Sequence, residues 1–294
     1  MSGDDLSLAH RMVGNLFADD VPEESRQHWR LTPVQLQDWE ENGYIFGPRL
    51  LDDRQIEALR EELADLTQPG HPGAEYWYEY HSNESVDPSR VLFHALGAWR
   101  LRPGLHDILW HAPLTTVAAQ LLGGAVRFWH DQLFCKPAQH GGVVAWHQDY
   151  SYWTRSQPMA HLTCWIGLDD ATSDNGCVQY IPGSHKWDLL PITGLAGNMD
   201  AIRQVLSNNQ WEQFQRPVPA ELPAGSCVFH HPLMVHGSFE NRTPQPRRAV
   251  VLNFIRDGVH SDTDQPLLDG VPVIPRGQRI EGRFFPQLYV PPSG

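Results

Sequence analysis

Apolar residues recur at helical spacing in the first part of the chain, and this pattern predicts three helices. The first begins at Thr32, whose hydroxyl can cap the helix, and ends at Gly43. The second begins at Asp52, and the third covers residues 113–122 before a pair of glycines. A short strand is predicted over residues 44–51. The first part of the chain is therefore expected to be mainly helical.

From Ala125 onwards, short runs of β-branched and aromatic residues alternate with turns that contain Gly, Pro and Asn. This spacing is typical of a β-sandwich or barrel rather than of alternating strands and helices. Residues 190–215 interrupt the series, and an insertion of that length between strands is often a lid or a substrate loop. We expect a polar N-terminal arm over residues 1–30. The rest, residues 31–294, is expected to form one domain, helical to 124 and with its β core from 125.

Composition and charge narrow the class of protein. The chain has 294 residues, of which 41% are hydrophobic and 19% charged, as in an ordinary globular protein. Its formal net charge of -13 argues against a nucleic acid or an anionic membrane as partner, because both require a basic surface. The four cysteines form no C-x-x-C pair and lie in apolar stretches, which predicts reduced thiols in a cytoplasmic protein. Neither a secretory signal nor a membrane span is predicted, and the pattern leaves the oligomeric state open.

A candidate metal site stands at the end of the apolar run VVAW. His147 and Asp149 follow it, and strand alternation would direct both side chains to one face, with Gln148 on the other. Two histidines and one carboxylate form the facial triad of non-haem Fe(II) oxygenases. His236 is the best third ligand, because it follows an apolar run that can face a pocket. Other histidines compete for this role: His185, His230 and His231.

An H-x-D pair by itself is weak evidence for a metal site. A second pair, His260 and Asp262, lies in the turn-like stretch HSDTDQP and has no histidine after it, so it cannot begin the same series. His147 could also be a hydrogen-bonded core histidine. Two other classes of function therefore stay open at this point. One is a different mononuclear metal enzyme, such as a Zn or Ni isomerase on a cupin-like fold, and the other is a non-catalytic β-sandwich binding module.

Several longer motifs resemble the phytanoyl-CoA dioxygenase family and occur in the same order as in that family. They are WHQDYSYW, CWIGLDDATSDNGCVQYIPGSHK and HPLMVHGS followed by PRRAV, and the segment LTPVQLQDWEENGYIFGPRLL resembles the family's opening. The resemblance runs from about residue 31 to residue 257. It implies a mainly β fold with flanking helices, a double-stranded β-helix or jelly roll. It also implies a dioxygenase that uses Fe(II), 2-oxoglutarate and O2.

The resemblance also assigns roles to individual residues. His147, Asp149 and His236 match the iron ligands. Arg247 matches the arginine that holds the distal carboxylate of 2-oxoglutarate, and its neighbour Arg248 is the alternative partner. The positions expected to line the co-substrate or substrate are Trp165, Ser238 and Gln132.

Other residues near these motifs are interpreted as structural. Lys136 is read as a surface lysine, and Asn175-Gly176 and Pro182-Gly183 as turns. The aromatic residues after the H-x-D pair could line a substrate pocket or belong to the core: Tyr150, Tyr152 and Trp153.

The expected reaction is the hydroxylation of an aliphatic C–H bond in a small-molecule metabolite, with release of succinate and CO2. Related halogenases have a small residue at the carboxylate position, so Asp149 predicts hydroxylation or a related oxidation rather than halogenation. The net charge of -13 and the lack of a Lys/Arg cluster disfavour a CoA thioester as substrate.

Overall fold

The computed structural model describes residues 5–68 and 70–292. Residues 1–4 of the predicted arm, and residues 69 and 293–294 of the predicted domain, lie outside the described residues. The predicted helix starts at Thr32 and Asp52 are confirmed, because both residues form capping boxes. The α-helices of the described residues are α1 Glu23–Arg26, α2 Pro33–Asn42, α3 Asp53–Leu66, α4 Pro103–Asp107, α5 Ala112–Leu122 and α6 Asn208–Phe214.

The strands are short except for β4 and β12, which run through the centre of the fold. They are β1 Tyr44–Phe46, β2 Glu79–His81, β3 Phe93–Leu96, β4 Val126–Lys136, β5 Val144–His147, β6 Ser156–Gln157, β7 His161–Gly167, β8 Val178–Tyr180, β9 Val218–Pro219, β10 Cys227–His230, β11 His236–Ser238, β12 Arg247–Arg256, β13 His260–Ser261 and β14 Gln287–Tyr289.

Two antiparallel sheets carry the site. Within the described residues, the larger sheet has eight strands in the order β1-β10-β7-β12-β4-β3-β2, with β14 paired to β4. The smaller sheet has the order β5-β11-β8-β9. Strands distant in sequence pair with one another, as β12 does with β4 and β7. The predicted jelly roll with flanking helices is confirmed.

The inner faces of the two sheets pack against each other. Trp165 and Val251 of the larger sheet share one buried hydrophobic cluster with Val178 and Tyr180 of the smaller sheet. Helix α5 packs on β4, β7 and β12 of the larger sheet, and Leu59 and Leu63 of α3 are buried in the same hydrophobic cluster as α5. The gap between the sheets is therefore walled by rigid strands on both sides, which suits it to hold a site in fixed geometry.

The segment over residues 190–215 covers one end of this gap. It contains a 3-10 helix, Ala201–Gln204, and then α6. Its Leu195 carbonyl accepts a hydrogen bond from the backbone N–H of Ala145 at 2.7 Å, beside β5. Its function as a lid stays a prediction. Among the described residues, every helix is too short or too polar to cross a membrane.

Candidate metal centre and adjoining pockets

Two histidines face each other across neighbouring strands at the open end of the smaller sheet. His236 on β11 is paired in register with His147 on β5, and their ring centroids are 4.2 Å apart. The ladder ends at His147, but the backbone is still extended at Gln148, so Asp149 returns to the same face as predicted. Asp149 itself begins a 3-10 helix, Asp149–Tyr152, rather than continuing the strand. One ligand atom from each of the three residues lies within 4.8 Å of the others.

Hydrogen bonds to the backbone fix which ring nitrogen each histidine presents. Nδ1 of His147 lies 2.8 Å from the Ala145 carbonyl, and Nδ1 of His236 lies 2.9 Å from the Met234 carbonyl. A carbonyl can only accept, so Nδ1 carries the proton in both rings. Each Nε2 therefore has its lone pair available and faces Oδ1 of Asp149, at 3.4 and 3.6 Å. This is the arrangement that two imidazole ligands of one metal ion require.

The two oxygens of Asp149 have different partners. Oδ2 accepts a hydrogen bond from Nε2 of His230 at 3.0 Å and from the hydroxyl of Thr163 at 2.7 Å. The other ring nitrogen of His230 lies 2.9 Å from the hydroxyl of Tyr180, which donates to it. Oδ1 is left to face the two histidine ligands. The carboxylate is thus oriented with one oxygen anchored in the protein and one directed at the metal position.

The electrostatics of the cluster match the protonation that metal binding requires. Burial by itself would raise the pKa of Asp149, but His236, His147 and His230 hold it well below the usual range of a carboxyl group. Burial, followed by the charge of His147, lowers the pKa of His236 well below that of an ordinary histidine. An ionised carboxylate and a neutral imidazole are the forms that bind a divalent metal. The donor set therefore fits Fe(II).

The competing histidines lie elsewhere or have another task. His230 contacts the carboxylate that the metal would use, and its side chain is 2% exposed. His185 contacts the carbonyl of Glu40, and His231 accepts a hydrogen bond from the backbone N–H of Leu233. In the second H-x-D pair, His260 lies on β13 and Asp262 forms an ion pair with Arg276. The structure thus brings together His147, Asp149 and His236, the three metal ligands proposed from the sequence.

A narrow pocket next to the triad ends at a buried arginine. Arg247 lines this pocket together with His236 and Trp165, and its side chain is 1% exposed. One guanidinium nitrogen donates to the carbonyl of Gly176 at 3.0 Å, whereas Nε and Nη1 have no hydrogen-bond partner among the described residues. Burial lowers the pKa of Arg247 to about 10, which still leaves it positively charged at neutral pH. An unpaired buried cation of this kind calls for an anionic ligand, and the distal carboxylate of 2-oxoglutarate fits it.

Gly176 has a conformation that favours glycine. Its φ is +78°, and an added Cβ would come within 2.3 Å of the carbonyl oxygen of Phe239. The turn predicted at this position is present. Its carbonyl also holds Arg247, so the same turn orients the buried guanidinium.

Lys136 is buried, and the prediction that it lies on the surface is wrong. Its side chain is 0% exposed because β4 is covered on this face by the smaller sheet. Nζ donates to Oγ of Ser238 at 2.6 Å and to the carbonyl of Phe239. Ser238 lines the pocket, and its oxygen already accepts from the ammonium group, so its own hydroxyl proton is available to a ligand. Burial, together with the positive charge of Arg247, lowers the pKa of Lys136 well below its ordinary value.

The remaining predicted residues also reach the pocket. Trp165 lines it, and the guanidinium carbon of Arg247 lies 5.4 Å from the centre of the indole ring. Gln132 is shared with a second cavity and accepts a hydrogen bond from Asn253 at 3.3 Å. Sequence analysis missed the residues that orient the ligands through hydrogen bonds, which are Thr163, Tyr180, His230 and Lys136. Each depends on a strand pairing between distant parts of the chain, for which the sequence has no local signal.

The second cavity lies on the other side of His147 and Asp149 and has a volume of about 210 Å³. From the sequence, Tyr152 and Trp153 could either line a substrate pocket or belong to the core. Both line this cavity. Tyr150 instead packs in the core, and its hydroxyl donates to the carbonyl of Ser156. The metal position therefore has one pocket on each side, one narrow and cationic and the other wider and aromatic.

Comparison with known proteins is consistent with this site. A family model described as phytanoyl-CoA dioxygenase (PhyH) matches residues 39–249, which is most of the chain. A methylphosphonate hydroxylase of Gimesia maris is 28% identical over 229 residues, covering 76% of this chain and 80% of the relative. An L-proline trans-4-hydroxylase of Streptomyces griseoviridis is 26% identical, covering 80% of this chain and 92% of the relative.

Among solved structures, a non-heme alpha-ketoglutarate-dependent carbocyclase from nogalamycin biosynthesis superimposes with a TM-score of 0.69. It is 21% identical, and the match covers 92% of this chain and all of the other. This likeness shows a shared fold.

Proposed function

The chain belongs to the phytanoyl-CoA dioxygenase family, and we propose that it hydroxylates an aliphatic C–H bond of a small-molecule metabolite. The observation that carries the proposal is the position of the His147, Asp149 and His236 cluster between two pockets, one of which ends at the buried guanidinium of Arg247. The chain is a dioxygenase of the class that uses Fe(II), 2-oxoglutarate and O2. A binding module would have no need of three converging metal ligands beside a buried guanidinium that leaves two nitrogens without a hydrogen-bond partner among the described residues.

In this proposal, Nε2 of His147, Nε2 of His236 and Oδ1 of Asp149 would hold the iron. Three protein ligands would leave positions on the metal open to other ligands. Bound Fe(II) supplies the activation of O2, coupled to the oxidative decarboxylation of 2-oxoglutarate. Asp149 occupies the position where related halogenases have a small residue, and this favours hydroxylation over halogenation.

The narrow pocket orients the co-substrate. Arg247 would pair with the distal carboxylate of 2-oxoglutarate through Nε and Nη1, which have no hydrogen-bond partner in the described part of the chain. Ser238 would donate its hydroxyl proton to the same group. Lys136 lies behind Ser238 and donates a hydrogen bond to its oxygen, which fixes the orientation of the hydroxyl group. Trp165 and Val251 form apolar walls that keep water from the ion pair, which strengthens it. The opposite end of 2-oxoglutarate is thereby directed at the metal ligands.

The wider cavity would hold the substrate against the same metal position. The overall reaction converts substrate, 2-oxoglutarate and O2 into hydroxylated product, succinate and CO2, with one oxygen atom in succinate and the other in the new hydroxyl group. A volume of about 210 Å³ is below the usual range for drug-sized ligands and suits a compact molecule. This supports a free small molecule over a CoA thioester. A cytoplasmic location is part of the proposal and is supported by four unpaired cysteines.

The test is anaerobic titration with Fe(II) and 2-oxoglutarate, followed by succinate release in air. Binding of both should produce a visible metal-to-ligand charge-transfer absorption, and air should then cause slow succinate release even without substrate. A variant with both His147→Ala and His236→Ala should lose the absorption, because only one of the three metal ligands remains. If the wild-type protein binds the metal but shows neither signal at saturating 2-oxoglutarate, the proposal is wrong.

A further inference from the structure

We propose that the substrate carries a positively charged amine, which the wider cavity recognises by an aromatic wall and carboxylates at its rim. This inference rests on the proposed function, because it takes the cavity beside His147 and Asp149 as the substrate site. It names the charge of the substrate, which neither the family nor the metal ligands determine.

Two tryptophans and two tyrosines contribute to the wall of the cavity. Trp129 and Trp153 are buried, at 2% and 7% exposure, and Tyr78 and Tyr152 line the cavity with them. His161 lies between the two indoles, with its ring stacked on Trp153 and edge-on to Trp129, so this wall is fixed in place. The negative faces of aromatic rings attract ammonium groups, most strongly in a site shielded from water.

Carboxylates dominate the charge at the rim. Glu79 and Asp269 line the cavity from opposite parts of the sequence, one on β2 and the other near the C-terminus. Arg155 also lines it, but its guanidinium donates to the carbonyls of Pro266 and Leu267 at 2.7 and 3.1 Å. The arginine therefore anchors the segment that bears Asp269 and has fewer N–H groups left for a ligand.

The histidines of the cavity add little positive charge. Burial lowers the pKa of His130 to about 4, so its ring is neutral at neutral pH. Nδ1 of His94 lies 2.6 Å from a carboxylate oxygen of Glu84, which balances any charge on that ring. An anionic substrate would therefore meet a wall with more negative than positive charge, whereas an amine would meet a complementary one.

Two buried polar atoms on residues that line the cavity favour a ligand that also brings a hydrogen-bond acceptor. The indole N–H of Trp129 and the hydroxyl of Tyr152 have no hydrogen-bond partner among the described residues. A buried donor without a partner is costly, so the cavity is completed by a ligand that accepts from these groups. Together with the carboxylates, this favours an amine that also bears a hydroxyl, carbonyl or carboxylate oxygen.

The test uses three probes of similar size and different charge. They are piperidine, which is protonated at neutral pH, the uncharged tetrahydropyran and the anionic cyclohexanecarboxylate. Binding is measured by calorimetry and by quenching of tryptophan fluorescence, in protein loaded with Zn(II) and 2-oxoglutarate so that no turnover occurs. Piperidine should bind about tenfold more tightly than tetrahydropyran, and the anion more weakly than either.

Variants of the two rim carboxylates test whether their charge causes the preference for piperidine. The double substitution Glu79→Gln and Asp269→Asn should remove most of the preference for piperidine and leave tetrahydropyran binding unchanged. Both residues are exposed, so folding should not suffer. Asp264→Asn is the matched control, since Asp264 is an exposed acid that does not line the cavity, and it should change nothing.

Equal binding of the three probes, a preference for the anion, or no saturable binding of piperidine would each overturn the inference. Succinate release by the Fe(II) enzyme, measured on the same preparation, separates this result from the proposed function. Succinate release without a preference for the cation would reject only the substrate class. Loss of succinate release and of the charge-transfer signal would reject the proposed function.

Discussion

Arg247 and Arg248 are adjacent on β12, yet their guanidinium groups lie on opposite sides of the larger sheet. Arg247 is buried in the pocket beside the candidate metal ligands, and two of its nitrogens have no hydrogen-bond partner within residues 5–68 and 70–292. Arg248 forms a bidentate ion pair with Asp169, at 2.9 and 2.7 Å, and Asp169 also contacts Arg60. Because side chains alternate along the strand, Arg247 is available to a ligand, whereas Arg248 is paired within the protein.

Replacing Arg247 with alanine should weaken the binding of 2-oxoglutarate by about 2–5 kcal/mol, because a desolvated carboxylate loses its partner. Arg248→Ala is the matched control and should leave that affinity almost unchanged. Calorimetric titration of the Zn(II)-loaded variants measures both values. The opposite ranking of the two variants would refute the assignment of Arg247.

The hydrogen bond from His230 to Asp149 should affect metal affinity directly. His230→Phe removes a donor to Oδ2 and leaves the carboxylate free to turn, so affinity for Co(II) should fall about 10- to 100-fold. Tyr180→Phe should have a smaller effect, since Tyr180 acts through His230. Chelator competition measures these constants without turnover. His231→Phe is the control, and equal affinities in His230→Phe and His231→Phe would contradict the positioning role.

Lys136 should contribute to co-substrate binding although it does not line the pocket. Lys136→Met removes the hydrogen bond to Oγ of Ser238 and frees Ser238 to turn its hydroxyl away from the ligand. We expect affinity for 2-oxoglutarate to fall about tenfold, in line with the loss of one hydrogen bond to the co-substrate. The exposed Lys186 provides the control, because Lys186→Met should leave the affinity as it is. If Lys136→Met binds 2-oxoglutarate with unchanged affinity, this lysine has a structural role only.

Acid should destabilise the protein partly through His161. Burial, followed by the charge of His130, lowers the pKa of His161 from 6.5 to about 3. Between these two values the unfolded chain binds a proton that the folded chain does not, so the free energy of unfolding falls as pH decreases. One such group contributes up to about 1.4 kcal/mol per pH unit.

Denaturant unfolding at pH 7.5 and pH 5 tests this contribution. His161→Phe keeps a ring against Trp153, and the stability lost between the two pH values should be smaller than in the wild type by about 2 kcal/mol. His140→Gln is the control, because His140 is exposed and should leave the pH dependence unchanged. An identical pH dependence in His161→Phe and the wild type would show that this residue does not contribute.

Local sequence determined the secondary-structure elements and the candidate residues for metal and co-substrate binding. The capping residues Thr32 and Asp52 fix helix starts because a cap needs only residues three positions apart. The pairing of His147 with Asp149 follows from alternation along one extended segment, and it persists although the strand ladder ends at His147. Short β-rich runs with regular turns likewise determine a two-sheet fold, because their faces must be buried against each other.

The tertiary structure decided which of these candidates meet. His236 was one of four possible third ligands, and it is distinguished by its register opposite His147, a pairing between strands about ninety residues apart. Alternation placed Arg247 and Arg248 on opposite faces, but only the packing of the smaller sheet shows which face holds the pocket. The same packing buries Lys136. Such relations depend on contacts between segments far apart in the chain, whereas hydrophobic periodicity reports only on neighbours.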